Sequence, residues 1–269
     1  MEKAKAIKRK PKEKTRRRRA LITDRDMDIF RMLSSGPATF VQIRLFMEKI
    51  YKRHMSESVL WTRLSKLKGG GYINSRRYAG REQGRFSLYS LTPLSIELLA
   101  KAGYPAGGLR AALPDDAAVA HEMLVTDVVR AIKREGFRLY EYQLADRNIL
   151  KQASGGIKRS HAYPDLHVRL TLNVNGKRHI KTYDIEVDNT TALPVHAIRK
   201  VGGLSHTTLV LCSVAQRIDA LKRALAASEA RGISGRVFFC LLPDFIKNGF
   251  AGTDWIDVNG KKITLIDVH

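Results

Sequence analysis

Apolar residues recur along this chain with two different periods, and the change from one to the other divides it. After a Thr23/Asp26 capping pair, Met27, Phe30 and Leu33 fall at helical spacing up to a Ser34-Ser35-Gly36-Pro37 stop. Thr39 caps a second short helix whose apolar surface is Val41, Ile43, Leu45 and Phe46, and Ser56 caps a third. In the third, Leu60, Leu64 and Leu67 form the buried stripe, and Ser58, Thr62, Arg63, Ser65 and Lys66 lie off it. Beyond Gly69-Gly70-Gly71, the runs Tyr72 to Tyr78 and Arg85 to Leu91, joined by a Gly80 to Gly84 turn, predict a β-hairpin. Thr92-Pro93 then opens a helix from Leu94 to Lys101. Three helices, a hairpin and a closing helix in that order predict a winged helix-turn-helix.

A Gly/Pro-rich joint follows, from Gly103 through Leu113-Pro114-Asp115-Asp116. Past it the pattern predicts a helix over Ala117 to Glu135, a strand over Phe137 to Leu144 and a long polar loop over Ala145 to Ala162. From Leu166 to Val174 apolar and polar residues alternate without a miss, Asn175-Gly176 is a hairpin turn, and the return strand runs from Lys177 to Val187. A helix near Leu193 to Val201, a strand Thr208 to Cys212, a helix Ala215 to Ala230, a strand Val237 to Leu242 and a Trp255 to Leu265 hairpin complete the chain. The predicted class is α/β (α+β overall): an N-terminal winged helix-turn-helix, then an α/β domain on a mixed sheet. The predicted division is a disordered basic arm over 1–20, the winged helix over 21–105, a linker over 106–116 and the second domain over 117–269.

Composition supports a packed core, at 44% hydrophobic residues. No apolar run approaches the ~20 residues of a membrane span, nothing apolar follows the basic N-terminus as in a secretory signal, and Cys212 and Cys240 make no disulfide framework. The expectation is a cytoplasmic protein with no membrane partner. The net charge of +22 is unevenly placed: residues 1–20 carry eleven Lys and Arg against two Glu, including Arg16, Arg17, Arg18 and Arg19. Such a balance points to a polyanion, and phosphate contacts from the arm would release counterions. With Ser58, Thr62, Arg63 and Lys66 on the third helix and Arg76, Arg77, Arg81 and Arg85 on the hairpin, the partner expected is double-stranded DNA.

Candidate chemistry sits in the second domain. Pairing through Asn175-Gly176 sets Asp165 opposite the neighbourhood of Glu186, predicting two convergent carboxylates at the edge of the sheet, with Glu122 as a third. Hard oxygen donors of this kind suit Mg²⁺, which can activate water against a phosphodiester. His161, His167, His179, His196 and His206 show no spacing that recurs in zinc sites, and a phosphate-binding Gly-rich loop followed by Lys-Ser/Thr is missing.

Pro164-Asp165, a hairpin and Glu186-Val187-Asp188 within an α-β-β-β-α-β order resemble the PD-(D/E)XK restriction-endonuclease-like fold. Taken with the winged helix, residues 21 to 265 resemble the replication-relaxation family of bacterial plasmids and integrative elements. The matching residues are Leu21-Ile22-Thr23-Asp24-Arg25-Asp26, Leu91-Thr92-Pro93, His121-Glu122, Glu186-Val187-Asp188-Asn189-Thr190-Thr191 and Ile198-Arg199-Lys200-Val201. The resemblance implies a mobile-element protein that binds a specific duplex site and acts in replication, relaxation, transfer or gene control. Against this stand two alternatives, a Mg²⁺-dependent endonuclease targeted by the same winged helix and an adaptor docking a relaxase or replication initiator; a homodimer is a further expectation. The nuclease pattern has Lys two positions after the acid, where this chain has Asp188. The site is therefore expected to be inactive unless Lys200 or Arg199 supplies the cation, in which case Asp165, Glu186 and Lys200 are the catalytic set.

Overall fold

The structure is a computed structural model that describes residues 21–80, 84–104, 118–139, 141–146, 163–174, 177–190 and 192–265. The basic arm, the linker and most of the polar loop lie outside the described residues.

The first unit opens with α1 (Asp24–Leu33), in which the Asp26 carboxylate accepts from both the backbone N–H and the hydroxyl of Thr23, each at 2.7 Å. After β1 (Ala38–Thr39) come α2 (Phe40–Lys49), capped by reciprocal Thr39 and Gln42 bonds, and α3 (Glu57–Gly69), capped by Ser56. These caps satisfy amide groups that a helix start leaves unpaired. The wing is β2 (Ile73–Gly80) antiparallel to β3 (Gly84–Leu91), and β1 adds to β3, giving the order β1-β3-β2. Closing the unit, α4 (Pro93–Lys101) has its proline in the first turn, where the missing N–H costs no hydrogen bond. Phe30, Leu33, Ile43, Leu60, Leu64, Leu67 and Leu99 are buried together as the core. Of the apolar surface predicted for α2, Val41 and Leu45 are exposed, because Ile43 and Met47 supply the inward stripe. This is a winged helix-turn-helix arrangement.

The second unit is a seven-stranded mixed sheet ordered β10-β9-β8-β7-β6-β5-β4. Its elements are α5 (Val119–Leu139), β4 (Glu141–Asp146), β5 (Leu166–Val174), β6 (Lys177–Asp188), α6 (Pro194–Gly202), β7 (Thr207–Cys212), α7 (Ala215–Ala227), a 3₁₀ stretch (Glu229–Arg236), β8 (Val237–Leu241), α8 (Leu242–Asn248), β9 (Trp255–Ile256) and β10 (Lys262–Ile263). Pairing is antiparallel from β4 through β6, parallel from β6 through β8, and antiparallel again at β9 and β10. Alternation then sorts the side chains. Leu166, Val168, Ile185, Val187, Leu209 and Leu211 face α5 and α8, whereas Val210, Cys212, Val237 and Phe239 face α6 and α7. Two expectations change: the helix runs through Phe137 to Leu139, where the pattern predicts a strand, and α8 follows β8 directly. Cys212 and Cys240 are free and buried, and burial pushes the Cys212 thiol up to about 12.

One helix serves both units. α5 lays Val125, Val128, Val129 and Ile132 on the sheet, while its other flank meets the winged helix. There Asp127 accepts from Gln42 (2.7 Å) and Arg130 (2.9 Å), and Arg130 donates to the Pro37 carbonyl (3.2 Å). Lys133 reaches the Ser34 hydroxyl at 3.3 Å. Gly36, at φ +134°, sits so close to Thr126 that a Cβ would meet its hydroxyl at 2.4 Å, so a side chain is excluded both by contact and by conformation. Tyr78 and Leu88 of the wing pack with Val119.

Candidate functional site

Two surfaces carry the residues singled out above. On α3 the leucine stripe is inside, and Ser58, Thr62 and Lys66 are exposed. Arg63 is not on that exposed face. Its side chain is 13% exposed, with Nε bonded to Asp26 at 2.6 Å, a second nitrogen on the same carboxylate, and the Leu21 carbonyl accepting at 2.7 Å. Asp26 is fully buried and needs a partner for its charge. Burial alone would raise its carboxyl, but the Arg63 and Thr23 bonds hold it below the usual range, and the bond to Asp26 raises the Arg63 guanidinium. The expectation that Arg63 contacts DNA is therefore corrected: its guanidinium is committed to α1.

Arg76, Arg77 and Arg85 are exposed on the wing, whereas Arg81 and the arm residues Arg16, Arg17, Arg18 and Arg19 lie outside the described residues. Arg76 lies over the Tyr78 ring at 5.1 Å. Arg77 and Arg85 border a groove of about 430 Å³ shared with Phe40, Trp61 and Phe86. Trp61 stacks on Phe40 with centroids 4.7 Å apart and remains 48% exposed. Sequence reasoning passed over Trp61; an aromatic residue beside the Leu60/Leu64/Leu67 stripe was the available signal.

The second surface is a cavity of about 460 Å³ at the carboxyl end of β6, between α6 and the start of α5. Leu166 pairs with Ile185, so Asp165 falls beside Glu186, on interior strands rather than at the sheet's edge. Asp165 is 5% and Glu186 7% exposed. The Val187 N–H donates to Asp165 at 3.0 Å, and Lys200, one helix away, places its ammonium on Glu186 and 3.4 Å from Asp165. His121 Nε2 lies 3.3 Å from Asp165 on the other side. Burial opposes charge on Asp165, but bonding to His121 and the Lys200 and His121 charges drive its carboxyl far below the ordinary range. Lys200 remains 29% exposed and borders the cavity, so the cluster is open to solvent on one side. Arg199, the alternative cation, is exposed on α6.

Glu122 does not line this cavity, and its neighbour His121 does, because one residue along a helix turns the side chain by about 100°. The third carboxylate is thus replaced by an imidazole. Asp188 is engaged elsewhere: Arg217 of α7 grips both its oxygens at 2.9 to 3.2 Å, and both side chains are under a tenth exposed. The next turn is bent around it, with the Thr190 N–H on Asp188 at 2.7 Å and Thr190 at φ +67°. A β-branched residue there is strained, a condition that clusters at functional sites.

Asp165 and Glu186 turn carboxylate oxygens to the one position that the Lys200 ammonium fills, and hard oxygen donors of this kind are the type that Mg²⁺ takes. Among the described residues no helix is long and apolar enough to cross a membrane.

No family model matches the chain, and no curated protein matches it either. Among solved structures, Bacillus subtilis PadR in complex with operator DNA aligns with 52% of this chain and 79% of its own, at 14% identity and a TM-score of 0.29. A likeness at that level carries no weight for fold or function.

Proposed function

We propose that the chain is a duplex-DNA-binding protein of the replication-relaxation type, acting on a bacterial plasmid or integrative element in replication, relaxation, transfer or gene control. The observation that carries this reading is the exposed polar face of α3, with Ser58, Thr62 and Lys66, flanked on the wing by Arg76, Arg77 and Arg85, in a chain of net charge +22. Short polar side chains on a helix can reach base edges, and arginines beside them fix the backbone. A homodimer and a relaxase or replication-initiator partner belong to the same proposal.

A second reading, a Mg²⁺-dependent endonuclease, is favoured by Lys200. The cation expected two positions after the acid is absent from β6, yet one arrives from α6 between Asp165 and Glu186. Bound Mg²⁺ would activate water and bear the phosphate charge; Asp165 and Glu186 would hold it, Lys200 would face the phosphate, and His121 would keep Asp165 ionised.

One assay tests both readings: competitive gel shifts on fragments flanking the gene, with and without Mg²⁺. Thr62→Ala with Lys66→Ala should lower the preference for the selected site over random duplex by at least about tenfold, as loss of base contacts of ~1–3 kcal/mol each requires. Unchanged preference would overturn the α3 assignment. Nicks that depend on Mg²⁺ and vanish in Glu186→Gln, with binding intact, support the nuclease reading; intact DNA under Mg²⁺ and Mn²⁺ rejects it.

A further inference from the structure

Two residues below the Asp165/Glu186 pair on the same face of the sheet lies a second cluster, which neither reading uses. His167 of β5 and Asp184 of β6 are direct cross-strand partners, so their side chains share a side. His206 immediately precedes β7, where Thr208 pairs with the same Asp184. His167 Nδ1 stands 2.8 Å from one Asp184 oxygen. The His206 N–H (3.2 Å) and Nδ1 (3.3 Å) meet the other. One ligating atom from each of the three residues lies within 4.8 Å of the others.

We infer that His167, Asp184 and His206 form a binding site for one divalent transition-metal ion of the zinc class. Two imidazoles and a carboxylate are the donors that Zn²⁺ takes at about 2.0–2.2 Å, and tetrahedral bonds of that length set donors about 3.4 Å apart. The His206 Nδ1 distance to the carboxylate, 3.3 Å, matches that spacing, and the His167 Nδ1, at 2.8 Å, stands closer than it. Mg²⁺ is the wrong ion here, since it prefers oxygen and gains little from imidazole. Two paired strands and the residue leading into a third present the donors, and a backbone amide orients the carboxylate. Asp184 is 4% exposed, but His167 and His206 are 26% and 45% exposed, so an ion has a route in and a fourth position open to water. The rings meet edge-on with centroids 4.8 Å apart, and the Nδ1 of each meets the carboxylate. None of the three lines the Lys200 cavity, so the site is separate from it.

Spacing in the sequence hides this site. His167 and Asp184 meet through a hairpin, and His206 arrives through a parallel strand beyond α6.

The test uses the full-length protein freed of metal with a chelator, titrated with Zn²⁺ by calorimetry against a competing indicator, and with Co²⁺ by visible absorption. The wild type should take up one equivalent and give the intense Co²⁺ bands of a four-coordinate site. His206→Ala, at the most exposed of the three positions, and His167→Gln should each weaken uptake by more than the roughly 10–100-fold that loss of a supporting partner costs, and abolish those bands. His179→Gln, at an exposed position of β6 outside both clusters, should leave both readouts unchanged. Circular dichroism of each metal-free variant separates loss of ligand from loss of fold. Absence of stoichiometric uptake by the wild type, or uptake that survives in both folded histidine variants, overturns the site.

Discussion

Replacing Arg63 by Ala tests the reassignment of that residue from DNA reader to internal clamp. Arg63 is 13% exposed and Asp26 is fully buried, so truncation leaves a carboxylate in the core with only Thr23 for company. Removing one partner of a buried pair costs about 3–5 kcal/mol, against a usual domain stability of about 5–15 kcal/mol, so the winged helix of the variant should stand close to unfolding. Urea melts followed by circular dichroism would show a lower midpoint with an unchanged slope. Acid should narrow the difference. Asp26 has its folded carboxyl held below the unfolded value, so its contribution is complete above the unfolded pKa near ~3.9 and disappears as pH falls through the folded one. The gap between wild type and Arg63→Ala should therefore be widest at neutral pH and close below about pH 4. Asp26→Asn in the Arg63→Ala background removes the stranded charge and should recover part of the loss. A variant less than about 1 kcal/mol weaker, yet unable to discriminate DNA sequences, would refute the clamp and return Arg63 to the reading face.

Arg217→Ala should destabilise the second unit by a similar ~3–5 kcal/mol, because Asp188 would be stranded, and thermal melts will report it. Asp188→Lys, which would restore the nuclease pattern on paper, should lower the melting temperature and yield no new cleavage, since it sets a cation against Arg217. Gly36→Ala should cost more than about 1 kcal/mol, from its φ of +134° and from contact with Thr126. A pairing of Gly36→Ala with Thr126→Ala, which removes the clashing hydroxyl and methyl, should relieve only the contact portion in the same denaturation assay.

Periodicity carried much of the fold. The Leu60/Leu64/Leu67 stripe, the alternation from Leu166 to Val174 and the hairpin that sets Asp165 beside Glu186 all depend on local spacing, which the backbone geometry converts directly into faces. Other features rested on contacts between distant segments. Asp26 was legible as a cap residue, but the inward turn of Arg63 toward it depends on how α3 crosses α1. α8 is short, begins with an apolar residue and a proline, and has no polar segment separating it from β8, so it reads as the tail of a strand. His121 and Glu122 are indistinguishable by pattern at the start of a helix, and only the seating of α5 decides which one meets Asp165.

The shared helix sets the bearing between the two surfaces. With 21 residues at about 1.5 Å each, α5 is a splint some 30 Å long, gripped by the winged helix through Asp127, Arg130 and Lys133 and by the sheet through its valines. A duplex seated on α3 would thus be presented to the rest of the protein at one fixed angle, and any phosphate within reach of Lys200 would lie at a set number of base pairs from the bases that α3 touches. His121 stands on the same splint, a little over one turn from the Thr126 contact with Gly36, so a strain that tilts the winged helix against the sheet arrives at Asp165 without an intervening joint.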